Sequence, residues 1–114
     1  MTRFTAISLA CLGAAALAIP ALAIAADAPA KLTDEQVTKG RQLFADNSCG
    51  ACHALADGNG GGGIGPSLDN NTQLTHDLIV NRVTNGSGPM PAFGGSITDP
   101  DIDLLARYVL QVKK

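Results

Sequence analysis

The sequence predicts a small all-α domain of three to four helices. Two helix starts carry capping signatures, one at Thr33 and the other at Thr98. Apolar residues recur at helical spacing after each start, and no run of alternating apolar and polar residues favours a strand. A chain of 114 residues has room for one such domain.

Residues 1–25 predict a cleaved export signal that precedes this domain. A basic start is followed by an apolar run, and Ala23 and Ala25 give the A-x-A pattern of a cleavage site, so we expect cleavage near Ala25. A retained membrane anchor is the alternative, but the run is short for a bilayer span and Pro20 interrupts it. We therefore expect a periplasmic domain of residues 26–114 without a stable membrane anchor.

The composition argues against a nucleic-acid partner and for a cofactor. The formal net charge is −2, and no basic stripe exists that could neutralise phosphates. The chain has no Trp, one Tyr and three Phe, which is a thin supply for a free-standing core of this size. We therefore expect a cofactor to supply an apolar centre.

The first predicted helix runs from about residue 34 to near Asn47. Thr33 and Gln36 form a capping box at its start. Its apolar face carries, at helical spacing, Val37, Gly40, Leu43 and Phe44. A glycine inside a helix costs about 1 kcal/mol relative to alanine, so Gly40 indicates close approach by a bulky group, with a tolerated surface glycine as the alternative.

The next stretch, Cys49-Gly50-Ala51-Cys52-His53, has the C-x-x-C-H pattern that attaches c-type haem. Residues i and i+3 of a helical turn share a face, so Cys49 and Cys52 can reach two vinyl groups of one porphyrin, and His53 can point at its iron. A redox dithiol would need a βαβ frame, and a structural zinc site would need a second ligand pair. The sequence has neither. The motif therefore predicts one covalent haem c, with its iron, per chain.

Residues 57–65 include six glycines and predict a flexible surface loop. This loop leads to Pro66, whose fixed φ stiffens the backbone. A metal-bound histidine usually donates its second ring N–H to a carbonyl or carboxylate, so a carbonyl near Pro66 is a candidate acceptor for His53. A plain turn proline is the alternative.

A middle helix is predicted from His76 to Asn85, with Thr75 as its N-cap and Gly86 as its terminator. Its buried stripe is predicted to be Leu78, Ile79 and Val83. His76 lies in the first turn on a polar face, so we expect a solvated side chain rather than an iron ligand.

Met90 lies between Pro89 and Pro91 and therefore cannot occupy a regular helix or a central strand. Such a stiff, extended segment would present a thioether to a metal, and a loop methionine packed on the core is the alternative. Beside a C-x-x-C-H motif we predict Met90 as the second iron ligand, with His76 as the other candidate.

The last predicted helix runs from Asp99 to about Val112, with Thr98 as its N-cap. Ile97 and Ile102 form the hydrophobic staple of this cap. The predicted apolar face consists of Ile102, Leu105, Val109 and Val112, with Tyr108 flanking it.

Taken in this order, the motifs resemble those of a class I cytochrome c of the short bacterial monohaem type, over residues 32–114. The resemblance implies three to four helices wrapped around one covalent haem, with the N- and C-terminal helices crossing where Gly40 and Phe44 meet Tyr108. It implies thioethers at both motif cysteines, His53 and Met90 as the axial iron ligands, and the Pro66 carbonyl as the partner of His53. The implied cofactor-binding residues are Cys49, Cys52, His53, Pro66, Leu68, Met90 and Phe93. Arg82 and Asn85 are further candidates for propionate contacts.

The resemblance also implies a one-electron transfer protein of the respiratory chain, and not an enzyme. We expect redox partners, a dehydrogenase as donor and an oxidase or another cytochrome as acceptor, docking over the haem edge near Ala51, Ala54, Pro91 and Phe93. One alternative is an electron-acceptor subunit stably bound to a periplasmic quinoprotein, flavin or molybdenum dehydrogenase. Another is a peroxidase-like or gas-binding haem protein with an open sixth position.

Overall fold

The computed structural model describes residues 30–114, so the predicted export signal and its cleavage site lie outside the described residues. Three helices are present, α1 (Asp34–Asp46), α2 (His76–Asn85) and α3 (Asp99–Val112). These bounds confirm the three helices that the sequence predicts. In the described part of the chain, no helix has both the length and the apolar character that a membrane span needs.

The helix starts are held by the predicted caps. In α1 the Thr33 hydroxyl accepts from the Gln36 N–H at 3.3 Å, and the Gln36 side chain accepts from the Thr33 N–H at 2.9 Å. Thr75 caps α2 and Thr98 caps α3 in the same way, each accepting from the N–H three residues on. Local sequence thus fixes where each helix begins.

Helices α1 and α3 cross at Gly40, and the crossing forms one end of the core. Tyr108 is fully buried there, at the centre of the packing rather than flanking it as the sequence suggests. Its ring centre lies 6.4 Å from that of Phe44, with the ring planes tilted by 59°. The predicted meeting of these three residues is confirmed.

Helix α3 is buried on a wider face than the predicted stripe. Leu104 and Ala106, which the helical spacing left out, are buried along with the predicted Ile102, Leu105 and Val109, whereas the predicted Val112 is only partly buried. The reason is that α3 packs against α1 on one side and against α2 on another. The helical spacing of apolar residues predicted a single buried face, which accounts for packing against one of these two helices but not both.

A polar network surrounds the end of the Tyr108 side chain. The Tyr108 hydroxyl donates to Asp57 Oδ1 at 2.7 Å, and Arg41 donates to the same carboxylate through Nε at 3.1 Å and Nη2 at 3.0 Å. The hydrogen bonds from Arg41 hold the pKa of Asp57 below its usual range. Burial and the bond to Asp57 raise the pKa of Tyr108. The network ties α3, α1 and the start of the glycine-rich segment together.

The expectation of a flexible surface loop for residues 57–65 needs a correction at its centre. This segment contributes strand β2 (Gly60–Gly61), which pairs antiparallel with β1 (Ala54–Leu55) directly after the C-x-x-C-H motif. A methyl group on Gly60 would lie within 2.3 Å of the His53 carbonyl oxygen, and one on Gly62 within 2.1 Å of that of Ala51. The glycines are therefore present because their backbone packs against the backbone of the motif.

Candidate functional site

The C-x-x-C-H motif folds as a single tight turn. Residues Cys49–Ala51 form a 3₁₀ helix, and the Cys49 carbonyl accepts from the N–H groups of Cys52 and His53 at 3.1 and 2.9 Å. Side chains at i and i+3 of such a turn lie on the same side, which brings both cysteines to one cavity wall. Both thiols are free and half-buried, and burial raises the pKa of Cys49.

The ring of His53 is fixed by one strong hydrogen bond. Its Nδ1 lies 2.8 Å from the carbonyl oxygen of Pro66. A carbonyl can only accept, so Nδ1 is the donor in this bond, and in the neutral imidazole Nε2 then carries the lone pair that a metal needs. The carbonyl acceptor that the sequence suggests near Pro66 is therefore present, and the alternative of a plain turn proline is wrong.

Gly65 lets the Pro66 loop approach the histidine. A methyl group at this position would lie 2.5 Å from Cε1 of His53. Any larger residue would push the loop away from the imidazole. Close approach of the backbone to the ring therefore requires glycine here.

Met90 is presented by a turn that is tied at both ends. The backbones of Ser87 and Met90 exchange two hydrogen bonds, each of 3.0 Å. The Phe93 N–H then donates to the carbonyl of Val83 in α2 at 2.8 Å. Gly86 begins the turn with φ +72°, a conformation that side chains rarely adopt. The half-buried thioether of Met90 is thus held on a stiff loop against α2.

These elements enclose a cavity of about 620 Å³. All the residues that the sequence assigns to the cofactor line it, including Leu68, Phe93 and Pro66. Its inner walls come from α2 and α3 through Ile79, Val83, Leu105 and Val109. Such a space, apolar and lined by two thiols, an imidazole and a thioether, fits a porphyrin and its iron.

The remaining candidates are divided by the structure. Arg82 lines the cavity and donates to the Ser87 hydroxyl at 3.2 Å, whereas Asn85 is not on the wall. His76 is also off the wall, because its Nε2 pairs with Asp103 of α3 at 2.8 Å. The sequence predicts a solvated His76, so this link between α2 and α3 is a correction. It arises because α3 brings a carboxylate to the first turn of α2.

Several wall residues were not assigned to the cofactor from the sequence. Leu105 and Val109 were predicted as core, and their role as cavity wall depends on how α3 is oriented. Ile64 lines the mouth of the cavity although 72% of its surface is exposed to solvent. Among the described residues, it is the one large hydrophobic residue that is exposed. A lone isoleucine within a run of glycines was the sequence signal that could have identified it.

Among residues 30–114, no group of three or more His, Cys, Asp or Glu side chains is arranged to hold a metal ion, so a structural zinc site has no ligand set there. Fold and site instead define a small monohaem cytochrome c of class I. The family described as "Cytochrome C oxidase, cbb3-type, subunit III" matches residues 23–109. The chain belongs to this cytochrome c family.

Curated relatives carry the name cytochrome c6. The protein from Gracilaria tenuistipitata var. liui is 42% identical over 78 residues, which cover 62% of this chain and 68% of that protein. The protein from Synechocystis sp. is 42% identical over 79 residues, which cover 62% of this chain and 61% of that protein. Similarity therefore extends over most of the described domain.

Solved structures agree with the sequence comparisons. The c-type cytochrome SorU from Sinorhizobium meliloti superposes with a TM-score of 0.62 at 36% identity, covering 70% of this chain and 93% of that one. Cytochrome c6 from the diatom Phaeodactylum tricornutum gives 0.53 at 38% identity, covering 65% and 90%. The chain is a monohaem electron carrier with covalently bound haem c. The alternative of a subunit stably bound to a dehydrogenase gains no support from these relatives.

Proposed function

We propose that Cys49 and Cys52 would hold the haem of this carrier and that His53 and Met90 would bind its iron. The observation that carries the proposal is the distance of 2.8 Å between His53 Nδ1 and the Pro66 carbonyl oxygen, which would leave Nε2 available on a cavity that Met90 also lines. The two cysteines lie on the same cavity, and thioether formation would consume their thiols.

When bound, the haem supplies an iron that exchanges one electron between its ferric and ferrous states. The chain would contribute His53 and Met90 as ligands, and each lies on a segment that is held by hydrogen bonds. The two side chains can therefore keep the same positions in the ferric and ferrous states. Leu68 and Phe93 add apolar contact from the loops that carry Pro66 and Met90. Exclusion of water by these walls disfavours the extra ferric charge, and a thioether ligand favours the ferrous state.

If His53 and Met90 both held the iron, the chain would leave no position on the metal for a substrate. We therefore infer that the protein is not an enzyme, and that the peroxidase-like and gas-binding alternatives do not apply to its folded state. The electron must then leave through the surface at the cavity mouth.

We infer that redox partners dock at this mouth, over Ala51, Ile64 and Pro91, which are all exposed. Arg82 is the one charged residue among those lining the cavity in the described chain. Because the cavity mouth carries so little charge, a partner that docks there would form a small, weak interface, and its binding would depend little on salt concentration. The proposed partners are a dehydrogenase as donor and an oxidase or another cytochrome as acceptor, in the respiratory chain.

We also propose that residues 1–25 are removed on export and that residues 26–114 act in the periplasm. The support comes from the apolar run and the A-x-A pattern of the first 25 residues. N-terminal sequencing of the exported protein tests it. A first residue at or near Ala26 is expected, and a retained Met1 would contradict the proposal.

A redox titration of the haem-loaded protein tests the function itself. We expect a single one-electron transition, a weak Met-to-iron charge-transfer band in the oxidised protein, and no carbon monoxide binding to the reduced protein. Ready binding of carbon monoxide by the unaltered protein would show an open sixth position and contradict the carrier mechanism.

A further inference from the structure

The carbonyl that orients His53 belongs to a loop without regular secondary structure, residues 65–71. Pro66 has no N–H, so it cannot donate a backbone hydrogen bond that would help to hold its carbonyl in place. Two neighbours attach the loop to the segment around the motif: the Gly65 N–H donates to Cys52, and the Leu68 N–H donates to Ala54, each at 2.9 Å. What holds the far end of the loop therefore matters for His53.

Asp69 holds that far end by joining three segments of the chain. Its Oδ2 accepts from the backbone N–H of Ala56 at 2.7 Å, just after the motif. Its Oδ1 accepts from the backbone N–H of Lys114 at 2.9 Å, beyond the end of α3. Hydrogen bonds from these two N–H groups lower the pKa of Asp69, so the carboxylate stays charged and both bonds are charge-assisted.

The same junction contains further bonds that point the same way. The Asn70 N–H donates to the Lys114 carbonyl, and the Lys113 ammonium donates to the Asn71 carbonyl at 3.0 Å. Within the loop, the Ser67 hydroxyl donates to the carbonyl of Asp69 at 2.9 Å. The loop that carries Pro66 is thus attached both to the motif and to the end of α3, with the Asp69 carboxylate between them.

We propose that Asp69 is a positioning residue for the iron ligand: by fixing the loop, it holds the Pro66 carbonyl against Nδ1 of His53. This inference rests on the proposed function, because it takes His53 as the ligand. A firm bond from Nδ1 makes the imidazole a more basic ligand, which favours the ferric state. Loss of the Asp69 anchor should therefore loosen that bond and raise the reduction potential.

Two variants test the anchor from opposite sides. Asp69→Asn keeps one acceptor oxygen but loses the second acceptor and the charge. Lys114→Pro removes the backbone N–H that donates to Asp69 Oδ1. Proline fits at this position because Lys113 already has a ψ of 141°, which a residue before proline prefers. Lys114→Ala is the matched control, because it removes the ammonium group and keeps the N–H.

The local readout is the solvent-exchange rate of the His53 Nδ1 proton, measured by NMR on the reduced, haem-loaded protein, with the Leu105 amide in α3 as the reference for global opening. Relative to that amide, exchange should become about tenfold faster in Asp69→Asn and Lys114→Pro, the factor expected for one lost hydrogen bond to a carboxylate. Both variants should also have a higher reduction potential. Lys114→Ala should match the unaltered protein in both measurements.

An unchanged relative exchange rate in both variants, or equal effects of Lys114→Pro and Lys114→Ala, would overturn the proposal. So would exchange that rises in step with the Leu105 amide, because Asp69 would then contribute to global stability alone. Failure of the proposed function looks different, since the unaltered protein itself would then lack the haem or the Met-to-iron band. That result would remove this inference as well.

Discussion

Gly40 of α1 lies directly against Tyr108 of α3. A methyl group placed on Gly40 would be 2.5 Å from Cβ and 2.6 Å from Cγ of the tyrosine. These atoms are next to the backbone of α3 and cannot rotate away. The two terminal helices can therefore cross at this distance only while position 40 has no side chain.

We expect Gly40→Ala to destabilise the protein. Alanine would gain about 1 kcal/mol of helix propensity, but the clash with fixed atoms should cost more, about 2 to 3 kcal/mol, so the net loss is about 1 to 2 kcal/mol. Urea unfolding of the haem-loaded protein measures it. Gly63→Ala is the control, because a methyl group there meets no atom within 4 Å. Equal stability of the two variants would contradict the packing described for the crossing.

The glycine-rich segment should show an alternating pattern of tolerance. Methyl groups at Gly60 and Gly62 would clash with carbonyl oxygens of the motif, whereas Gly61 and Gly63 have open space. Alanine at either of the first two positions should displace the motif and reduce the yield of haem-loaded protein, and alanine at the other two should not. Absorbance of haem per chain measures the effect. Equal tolerance at all four positions would contradict the packing of Gly60 and Gly62 against the motif.

The Asp57 carboxylate should make stability depend on pH. Its pKa is lower in the folded protein, chiefly through Arg41, than the ordinary value of 3.8, so the unfolded chain binds a proton first as the pH falls. The stabilisation is present above pH about 4 and is lost as the pH falls through the folded pKa. Asp57→Asn should lower Tm at neutral pH, and the difference from the unaltered protein should shrink in acid.

Thermal unfolding between neutral and strongly acidic pH checks this sign. Asp46→Asn is the control for loss of charge, since no hydrogen bond or ion pair of the Asp46 side chain is found among residues 30–114. A difference in Tm between Asp57→Asn and the unaltered protein that grows in acid would contradict the network as described.

Met90 and His76 should differ sharply when each is replaced by alanine. Met90→Ala should open the sixth position, so the reduced protein binds carbon monoxide and the reduction potential falls. His76→Ala should leave the spectrum and potential unchanged and cost about 1 kcal/mol of stability through the lost bond to Asp103. A spectral change in His76→Ala with none in Met90→Ala would reverse the ligand assignment.

Local signals in the sequence predicted the parts of the fold that local chemistry decides. Three features depend only on neighbours within four residues and are found as predicted: the capping box at Thr33, the N-cap at Thr98 and the C-x-x-C-H turn. The resemblance to class I cytochromes supplied the crossing at Gly40 and the pairing of His53 with Pro66. Both involve residues too far apart in the chain for spacing alone to predict.

What the sequence could not predict depends on long-range contact. The bond between His76 and Asp103 spans 27 residues, and that between Tyr108 and Asp57 spans 51. The glycines at 60 and 62 suggested a loop, because nothing in their own sequence shows that another backbone segment lies against them. The anchoring role of Asp69 is of the same kind, since its partners are Ala56 and Lys114.

The most direct test of the account is the mass of the exported protein under denaturing conditions, after expression with a working haem-attachment system. We predict one haem bound to each chain through bonds that denaturation does not break. A Cys49→Ser/Cys52→Ser double variant should have lost it. A colourless product with both thiols free or joined in a disulfide would contradict the central claim.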